Sequence, residues 1–242
     1  PAESGTVVTT ASPSLGRRNL IINGAMQVAQ RGTSVTGVTT TGYRTCDRWL
    51  VNVNYATGEV TQSTDCPEGF SNSLKYEVTS TGSLGASSIM RFEQRIEGQN
   101  VQHLSFGASG AKQITASFWV KSSVAGTYAV SLYSDDANKS ISENYSITST
   151  GTWEHKTVTF SGNTADSIAN DSTTGLRIFI FAAAGSSYTG GSTGTWQTWP
   201  TGGASGHSVN IGDTVGNTFQ ITGDQLEVGS VATPFEHRSY GE

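Results

Sequence analysis

KQITASFWVKSSVAGTYAVSLYS, residues 112–134, contains the strongest β-strand signal in the chain. Two segments rich in Val, Ile, Phe, Tyr and Thr alternate between two faces, and a short connection, Ser122–Gly126, separates them. Alternation with a period of two is typical of strands that bury one face. The pattern predicts an antiparallel β-hairpin. One face enters a core through Ile114, Ala116, Phe118, Val120, Tyr128, Val130 and Leu132.

The composition of the whole chain agrees with an all-β fold. Among 242 residues there are 29 glycines and only 14% charged residues. Such a chain is poor in helix formers and rich in turn formers. Short alternating segments follow one another between turns, without an amphipathic helix or a solenoid repeat. We therefore predict an antiparallel β-sandwich of the jelly-roll type over residues 19–242, preceded by an extended arm over residues 1–18.

Charge and hydropathy exclude several classes of partner. The formal net charge of -5 disfavours nucleic acid, because phosphate binding needs a basic surface. No apolar run approaches the roughly 20 residues of a membrane-spanning helix, and the first residues lack the features of a signal peptide. A core of this size makes a disulfide unnecessary, so we expect Cys46 and Cys66 to be free thiols rather than a bridge.

One strand is apolar on both faces. Leu176–Phe181 reads LRIFIF, so Phe179 and Phe181 lie opposite the core-facing side chains. Either a loop of the same chain or another subunit must cover this second face. Phe179 and Phe181 are therefore candidate oligomer contacts.

Another strand carries charges of alternating sign. In Ser88–Gly98 one face is formed by Arg91, Glu93, Arg95 and Glu97. This ladder predicts a solvated strand face with ion pairs to neighbouring strands. The alternative interpretation is a subunit seam or the edge of a ligand site.

The segment Gly185–Gly212 is almost entirely Gly, Ser and Thr, yet it contains Tyr188, Trp196 and Trp199. Loops of this length are usually functional or disordered. The two tryptophans either fold back over Phe179 and Phe181 or project to contact a sugar or a neighbouring protein. The candidate glycan-binding residues are Tyr188, Trp196, Trp199 and Tyr133, because aromatic rings offer an apolar surface to the flat C–H faces of sugars.

Trp119 and Tyr133 lie on the polar faces of their strands. A polar strand face that carries large aromatics is typical of sugar-binding sandwiches, although such aromatics have other uses. For Trp119 and Trp153, which lie within strands, we predict packing rather than ligand contact.

Blocks of the sequence resemble two families. NLIINGAMQVAQRG (residues 19–32), DRW (Asp47–Trp49) and ITGDQLEVGSVATPFEHRSYGE (Ile221–Glu242) resemble the opening and closing segments of bacteriophage tail-fibre and related virion proteins. QRIEGQNV, the central segment and GTWEHKTVTF resemble jelly-roll carbohydrate-binding modules that accompany xylanases and cellulases. The first resemblance implies a virion protein, assembled in the host cytoplasm, and a homo-oligomer, most simply a trimer.

The resemblance to carbohydrate-binding modules also raises the question of a structural calcium site. In those modules an Asn-x-x-x-Asn-Gly-x-x-Glu run and a pair of Asp residues help to hold a structural calcium ion. Here Gln27 and Gly223 stand at the Glu position and the first Asp position, which leaves Asp224. Because a hard cation needs several charged oxygen ligands, we favour no metal and no other cofactor.

No catalytic constellation is visible. The four histidines are far apart, and neither a nucleophile elbow nor a phosphate-binding loop is present. Since a carboxylate pair can meet only in the fold, glycoside hydrolysis is the one chemistry left open. We expect a protein that is not an enzyme.

Three functions fit these observations. The first is a tail-fibre or receptor-binding subunit whose jelly roll recognises a cell-surface glycan. The second is a head-decoration or adaptor protein of the virion that makes only protein contacts. The third is a sugar-binding module of a polysaccharide-degrading enzyme. The segments at the two ends of the chain favour the first two.

Overall fold

The computed structural model of the protein describes residues 18–237, which form two antiparallel β-sheets packed face to face. The strands are β1 (Ser34–Val38), β2 (Gly42–Tyr43), β3 (Leu50–Val53), β4 (Thr57–Ser63), β5 (Ser73–Ser80), β6 (Ile89–Glu97), β7 (Ile114–Ser122), β8 (Gly126–Ser134), β9 (Lys139–Ile147), β10 (Glu154–Phe160), β11 (Thr174–Ala184), β12 (Gln197–Thr198) and β13 (Thr218–Val228). The six-stranded sheet has the order β1-β4-β5-β13-β7-β10, and the seven-stranded sheet has the order β12-β9-β8-β11-β6-β3-β2. This arrangement confirms the predicted all-β sandwich of the jelly-roll type.

The helices in residues 18–237 are short and lie in the connections. They are the α-helical turn α1 (Ser186–Thr189) and three 3-10 helices, Gly98–Asn100, Gln102–Leu104 and Ile211–Asp213. None of them combines the length and the apolar character that crossing a membrane requires. The predicted arm, residues 1–18, lies outside the described residues apart from Arg18.

The central segment forms two strands as predicted, but these strands do not pair with each other. β7 pairs with β10 and β13 in the six-stranded sheet, whereas β8 pairs with β9 and β11 in the seven-stranded sheet. The connection between them crosses from one sheet to the other, and the hydroxyls of Ser122 and Tyr128 hydrogen bond across it at 2.9 Å. The predicted hairpin is therefore wrong, because alternation shows which face of a strand is buried and not which strand lies beside it.

The main core lies between the sheets and contains a layer of aromatic rings. Tyr128 stacks on Phe219 at 5.5 Å and on Tyr145 at 5.7 Å between ring centroids. Phe118, on β7 of the six-stranded sheet, lies edge-on to Tyr145 of the seven-stranded sheet at 5.2 Å between ring centroids. Full burial of one such ring stabilises the fold by roughly 2–3 kcal/mol. The core thus uses the inner faces of both sheets and leaves their outer faces for other contacts.

The outer face of the seven-stranded sheet is covered by the long Gly/Ser/Thr-rich loop of the same chain. Phe179 and Phe181 are only 1% and 0% exposed. Trp199 lies over Phe179 at 5.4 Å, and His207 lies 6.3 Å from Phe181. The apolar outer face is therefore explained without a second subunit. The oligomer contact at Phe179 and Phe181 stays a prediction, and this surface gives it no support.

Half of the charge ladder on β6 is buried, and Trp199 of the same loop lies 5.1 Å from the Arg91 guanidinium. Arg91 and Glu93 are 6% and 1% exposed, so the predicted solvated face is wrong at these two positions. The guanidinium of Arg91 lies 3.7 Å from the ring centroid of Phe179. Burial raises the pKa of Glu93, but the guanidinium groups of Arg91, Arg95 and Arg177 outweigh it and hold that pKa below its usual value. A buried carboxylate is tolerated here because it is paired.

Candidate functional site

Three of the four predicted glycan-binding aromatics come together in the loop. The ring of Trp199 lies 5.2 Å from Tyr133 and 5.3 Å from Tyr188, and all three side chains are half-buried. Trp196 lies elsewhere, 5.6 Å from Phe106, and its indole N–H donates to a backbone carbonyl at 2.9 Å. These rings pack on one another and on the sheet beneath, so their main structural role is to close the loop over the strands. Glycan contact by these four residues stays a prediction.

A better-formed surface lies on the opposite side of the sandwich. It is a groove of about 550 Å³ on the outer face of the six-stranded sheet, and we call it the aromatic groove. Its floor comes from β7 and β10, one wall from the β4–β5 connection, and the other wall from the segment after β13. The side chains that define it are Glu68, Phe70, Ser117, Trp119, His155, Phe235 and His237.

Trp119 reaches the groove because β7 alternates. Its neighbours Phe118 and Val120 are buried in the core, so Trp119 points to the opposite face and is half-buried there. It pairs in register with His155 on the edge strand β10, and the two rings are 5.2 Å apart. Trp119 therefore packs against His155, as predicted, and its side chain also lines the open groove.

Phe70 and Trp119 both lie over a β-bulge in β13. The register of β13 against β7 shifts between Thr222 and Gln225, and Gly223 lies in this bulge with φ +65°. A Cβ atom at Gly223 would lie 2.6 Å from the Phe70 ring and 3.1 Å from the Trp119 ring. A glycine is required here by both the backbone conformation and the close approach of the two rings.

The second wall is held in place by polar side chains of β13. Glu227 accepts hydrogen bonds from the backbone N–H and the hydroxyl of Thr233, both at 2.8 Å. Gln225 donates to the Thr233 carbonyl at 3.1 Å and accepts from the Glu236 N–H at 2.8 Å. These bonds fix the closing segment on the sheet and place Phe235 at the groove.

The two walls meet through their aromatic rings. Phe235 lies edge-on to Phe70 at 5.1 Å, and His237 lies 4.9 Å from Phe235 and 5.5 Å from Phe70. The groove is therefore bounded by five rings that come from four separate stretches of the chain. The residues that sequence reasoning missed are Phe70, Phe235 and His237, whose only signal was the presence of aromatics in turn-rich segments, and His155, which follows the alternation of β10.

The groove carries little charge. Glu68 is the one carboxylate among its lining residues, and no Lys or Arg of residues 18–237 lines it. Desolvation and the neighbouring Lys156 lower the pKa of His155, so its imidazole is neutral at pH 7. An apolar floor with a few polar groups suits an uncharged ligand that has both C–H and hydroxyl surface.

The face continues past the groove to Trp153. The indole N–H of Trp153 donates to Asp65 at 3.1 Å, and Asp65 pairs with Lys121 at 2.7 Å. Lys121 also lies 6.0 Å from the Trp153 ring centroid. Trp153 is therefore held by polar contacts at the surface, beside the groove and outside the core.

The structure places one carboxylate, that of Asp224, at the calcium site that the resemblance describes, next to Asn19 and Gly24. Asp224 is 2% exposed, and neither of its carboxylate oxygens has a hydrogen-bond partner within residues 18–237. Burial raises its pKa well above the usual value. The amide of Gln62 donates to the carbonyls of Met26 and Gln27 at 2.7 and 3.0 Å, which occupies one lone pair of each oxygen. The described residues contain no cluster of three His, Cys, Asp or Glu side chains that could hold a metal ion.

No protein-family model matches the chain, and no curated protein matches it in sequence. Among solved structures, the enzymatically active domain of bacteriophage CBA120 tailspike protein 4 is similar, at 14% identity over 87% of this chain and 21% of that chain, with a TM-score of 0.44. TmCBM61, solved with β-1,4-galactotriose, is similar at 12% identity over 88% of this chain and 99% of its own, with a TM-score of 0.43. A candidate sugar-binding protein from Bacteroides thetaiotaomicron is similar at 14% identity over 87% and 100%, with a TM-score of 0.49. These likenesses are to the fold of carbohydrate-binding modules and a phage tailspike domain.

Proposed function

We propose that the protein is a non-catalytic glycan-binding subunit of a virion, and that the aromatic groove binds a neutral sugar chain. The observation that carries this proposal is the groove itself, in which five aromatic rings line about 550 Å³ beside a single carboxylate. Sugar rings present C–H faces to aromatic rings and hydroxyls to polar groups. Trp119 supplies the largest ring, and Ser117 and Glu68 lie close enough to line the same groove.

The size and openness of the groove support a small portion of a longer chain as its ligand. Its volume lies in the range of sites that bind small molecules. The groove is open to solvent on the sheet surface, so a bound sugar chain can extend beyond it. A strongly anionic ligand is disfavoured, because Glu68 is the only charged residue in 18–237 that lines the groove.

The virion role rests on the segments that resemble phage proteins, and in the fold these segments come together. Leu20 donates from its backbone N–H to the Leu226 carbonyl at 2.8 Å. Asn19 donates from its backbone N–H to the Glu236 carboxylate at 3.0 Å. The opening and closing segments thus form one unit that carries a wall of the aromatic groove. A receptor-binding subunit, assembled with other virion proteins as a homotrimer, is the form we propose.

The test is glycan binding by the full chain and by Trp119→Ala, measured on an array of neutral and acidic oligosaccharides and then by calorimetry. We expect binding to neutral glycans and a loss of at least tenfold in affinity in Trp119→Ala. Val215→Ala is the control, because it truncates an exposed apolar side chain that does not line the groove. Binding that survives Trp119→Ala, or a chain that binds no neutral glycan, contradicts the proposal. The native mass in solution separately tests the trimer.

A further inference from the structure

A second cleft, also of about 550 Å³, lies at the β2 edge of the seven-stranded sheet. It belongs to the opposite sheet from the aromatic groove and shares no lining residue with it. Its main side chains are Arg31, Tyr43, Arg48, Arg95, Glu97 and Thr174. Three arginines in one open cleft are unusual in a chain whose net charge is -5.

Arg48 is placed in this cleft by an unfavourable backbone conformation. Its φ of +71° lies in the left-handed region, which residues with a side chain rarely adopt. Both neighbours are held firmly, since the Asp47 N–H donates to Val28 at 2.8 Å and the buried Trp49 indole donates to Asn23 at 3.2 Å. The chain therefore turns at Arg48 and leaves this side chain exposed. Strain of this kind is found where a side chain has a function.

The guanidinium of Arg48 makes no hydrogen bond or ion pair with any residue in 18–237. Arg95 donates only its Nε to Glu93, at 2.9 Å, and is 39% exposed. Glu93 already faces Arg91 and Arg177, so the charge of Arg95 is only partly compensated. The cleft thus presents two guanidinium groups with unused donors.

The remaining side chains indicate what else the ligand must offer. Arg31 is paired with Asp47 at 3.1 Å and lies 5.8 Å from the ring centroid of Tyr43, which is itself 42% exposed. Glu97 accepts from Gln99 at 2.8 Å and keeps a carboxylate at the cleft. The lining holds three arginines and two carboxylates, so one negative charge on the ligand balances its net charge of +1. Hydroxyl groups find acceptors there.

We propose that this cleft binds a carboxylate-bearing sugar, a uronic acid within an acidic glycan. The sugar carboxylate accepts from the guanidinium groups of Arg48 and Arg95, whose planar forks match a carboxylate. The sugar hydroxyls donate to Glu97, and the ring lies against Tyr43. The site is distinct from the aromatic groove and does not depend on the function proposed for it.

The test compares acidic oligomers with their carboxyl-reduced, neutral counterparts by calorimetry on the full chain. Oligogalacturonate, alginate and hyaluronan oligomers serve as probes. We expect at least one acidic probe to bind, its reduced form to bind at least tenfold more weakly, and the affinity to fall as salt is raised. Arg48→Gly should lose at least tenfold in affinity.

Arg48→Gly removes the guanidinium without impairing folding, because glycine readily adopts φ +71°. Its melting temperature should equal or exceed that of the parent chain, which excludes misfolding as the cause of lost binding. Arg44→Ala is the control, since Arg44 bonds Thr40 outside the cleft. Trp119→Ala should leave acidic binding unchanged, which separates this site from the aromatic groove. The proposal is overturned if none of the acidic probes binds, if the reduced probes bind equally, if Arg48→Gly binds normally, or if inorganic phosphate binds more tightly than the uronates.

Discussion

Gly223→Ala tests whether the β13 bulge shapes the aromatic groove. Gly223 has φ +65°, and a Cβ atom there would lie 2.6 Å from the Phe70 ring and 3.1 Å from the Trp119 ring. Left-handed backbone costs a residue with a Cβ atom roughly 1–2 kcal/mol, and about half of this is offset because alanine reduces the entropy of the unfolded chain. The Phe70 ring must also move, and the loss of its partial burial costs on the order of 1–2 kcal/mol.

Gly216→Ala supplies the matched control. Gly216 also has a left-handed φ, +87°, but no atom lies within 4 Å of the position of its Cβ. It therefore reports the backbone cost alone, roughly 1 kcal/mol. Gly223→Ala should lower the free energy of unfolding by about 1–2 kcal/mol more than this control, because only it displaces the ring of Phe70.

The assay is urea unfolding of both variants, followed by calorimetric titration with the neutral glycan that the parent chain binds. Gly223→Ala should lose at least tenfold in affinity, because Phe70 moves away from Trp119, while Gly216→Ala should bind normally. The reasoning is refuted if the two variants are equally stable within about 0.5 kcal/mol and bind the glycan equally.

Three further predictions concern the loop and the thiols. Burial lowers the pKa of His207 from 6.5 to about 4, so the unfolded chain binds more protons than the folded chain between these pH values. The free energy of unfolding should therefore be at its full value above pH 6.5 and should fall by up to about 3 kcal/mol as the pH falls to 4. Melting curves measured over this pH range should show the loss in the parent chain and not in His207→Gln. Trp199→Ala should lower the free energy of unfolding by about 2–3 kcal/mol, less than a fully buried tryptophan would, and should leave binding at the aromatic groove unchanged. A thiol reagent should label two cysteines in the unreduced, denatured protein but only Cys66 quickly in the native protein, because Cys46 is 1% exposed and burial raises its pKa to about 12. Fewer than two labels per chain in the denatured state would mean that the thiols are not free.

The strands of this protein could be predicted from the sequence because alternation is a local property. Ile114–Ser122 and Gly126–Ser134 emerge as strands, and their inward side chains are the ones that the pattern indicates. The apolar character of Phe179 and Phe181 likewise requires a cover whatever the fold, and the sequence already offered the long loop as one candidate.

Pairing could not be predicted in the same way, because it depends on contacts between residues far apart in the chain. The two central strands lie in opposite sheets, and Arg91 is covered by Trp199, about 100 residues later in the chain. A charge ladder on a strand has the same sequence whether water or a loop covers it.

The aromatic groove shows most clearly which features follow from the local sequence and which depend on the tertiary structure. The sequence by itself determined that Trp119 lies on the outer face of β7, since alternation places its neighbours in the core. Only the tertiary structure brought Phe70, His155 and Phe235 to it, through a bulge at Gly223 and the anchoring of the closing segment by Gln225 and Glu227. A binding surface made from four distant stretches has no local signature, because the free energy that assembles it comes from contacts that exist only in the folded chain.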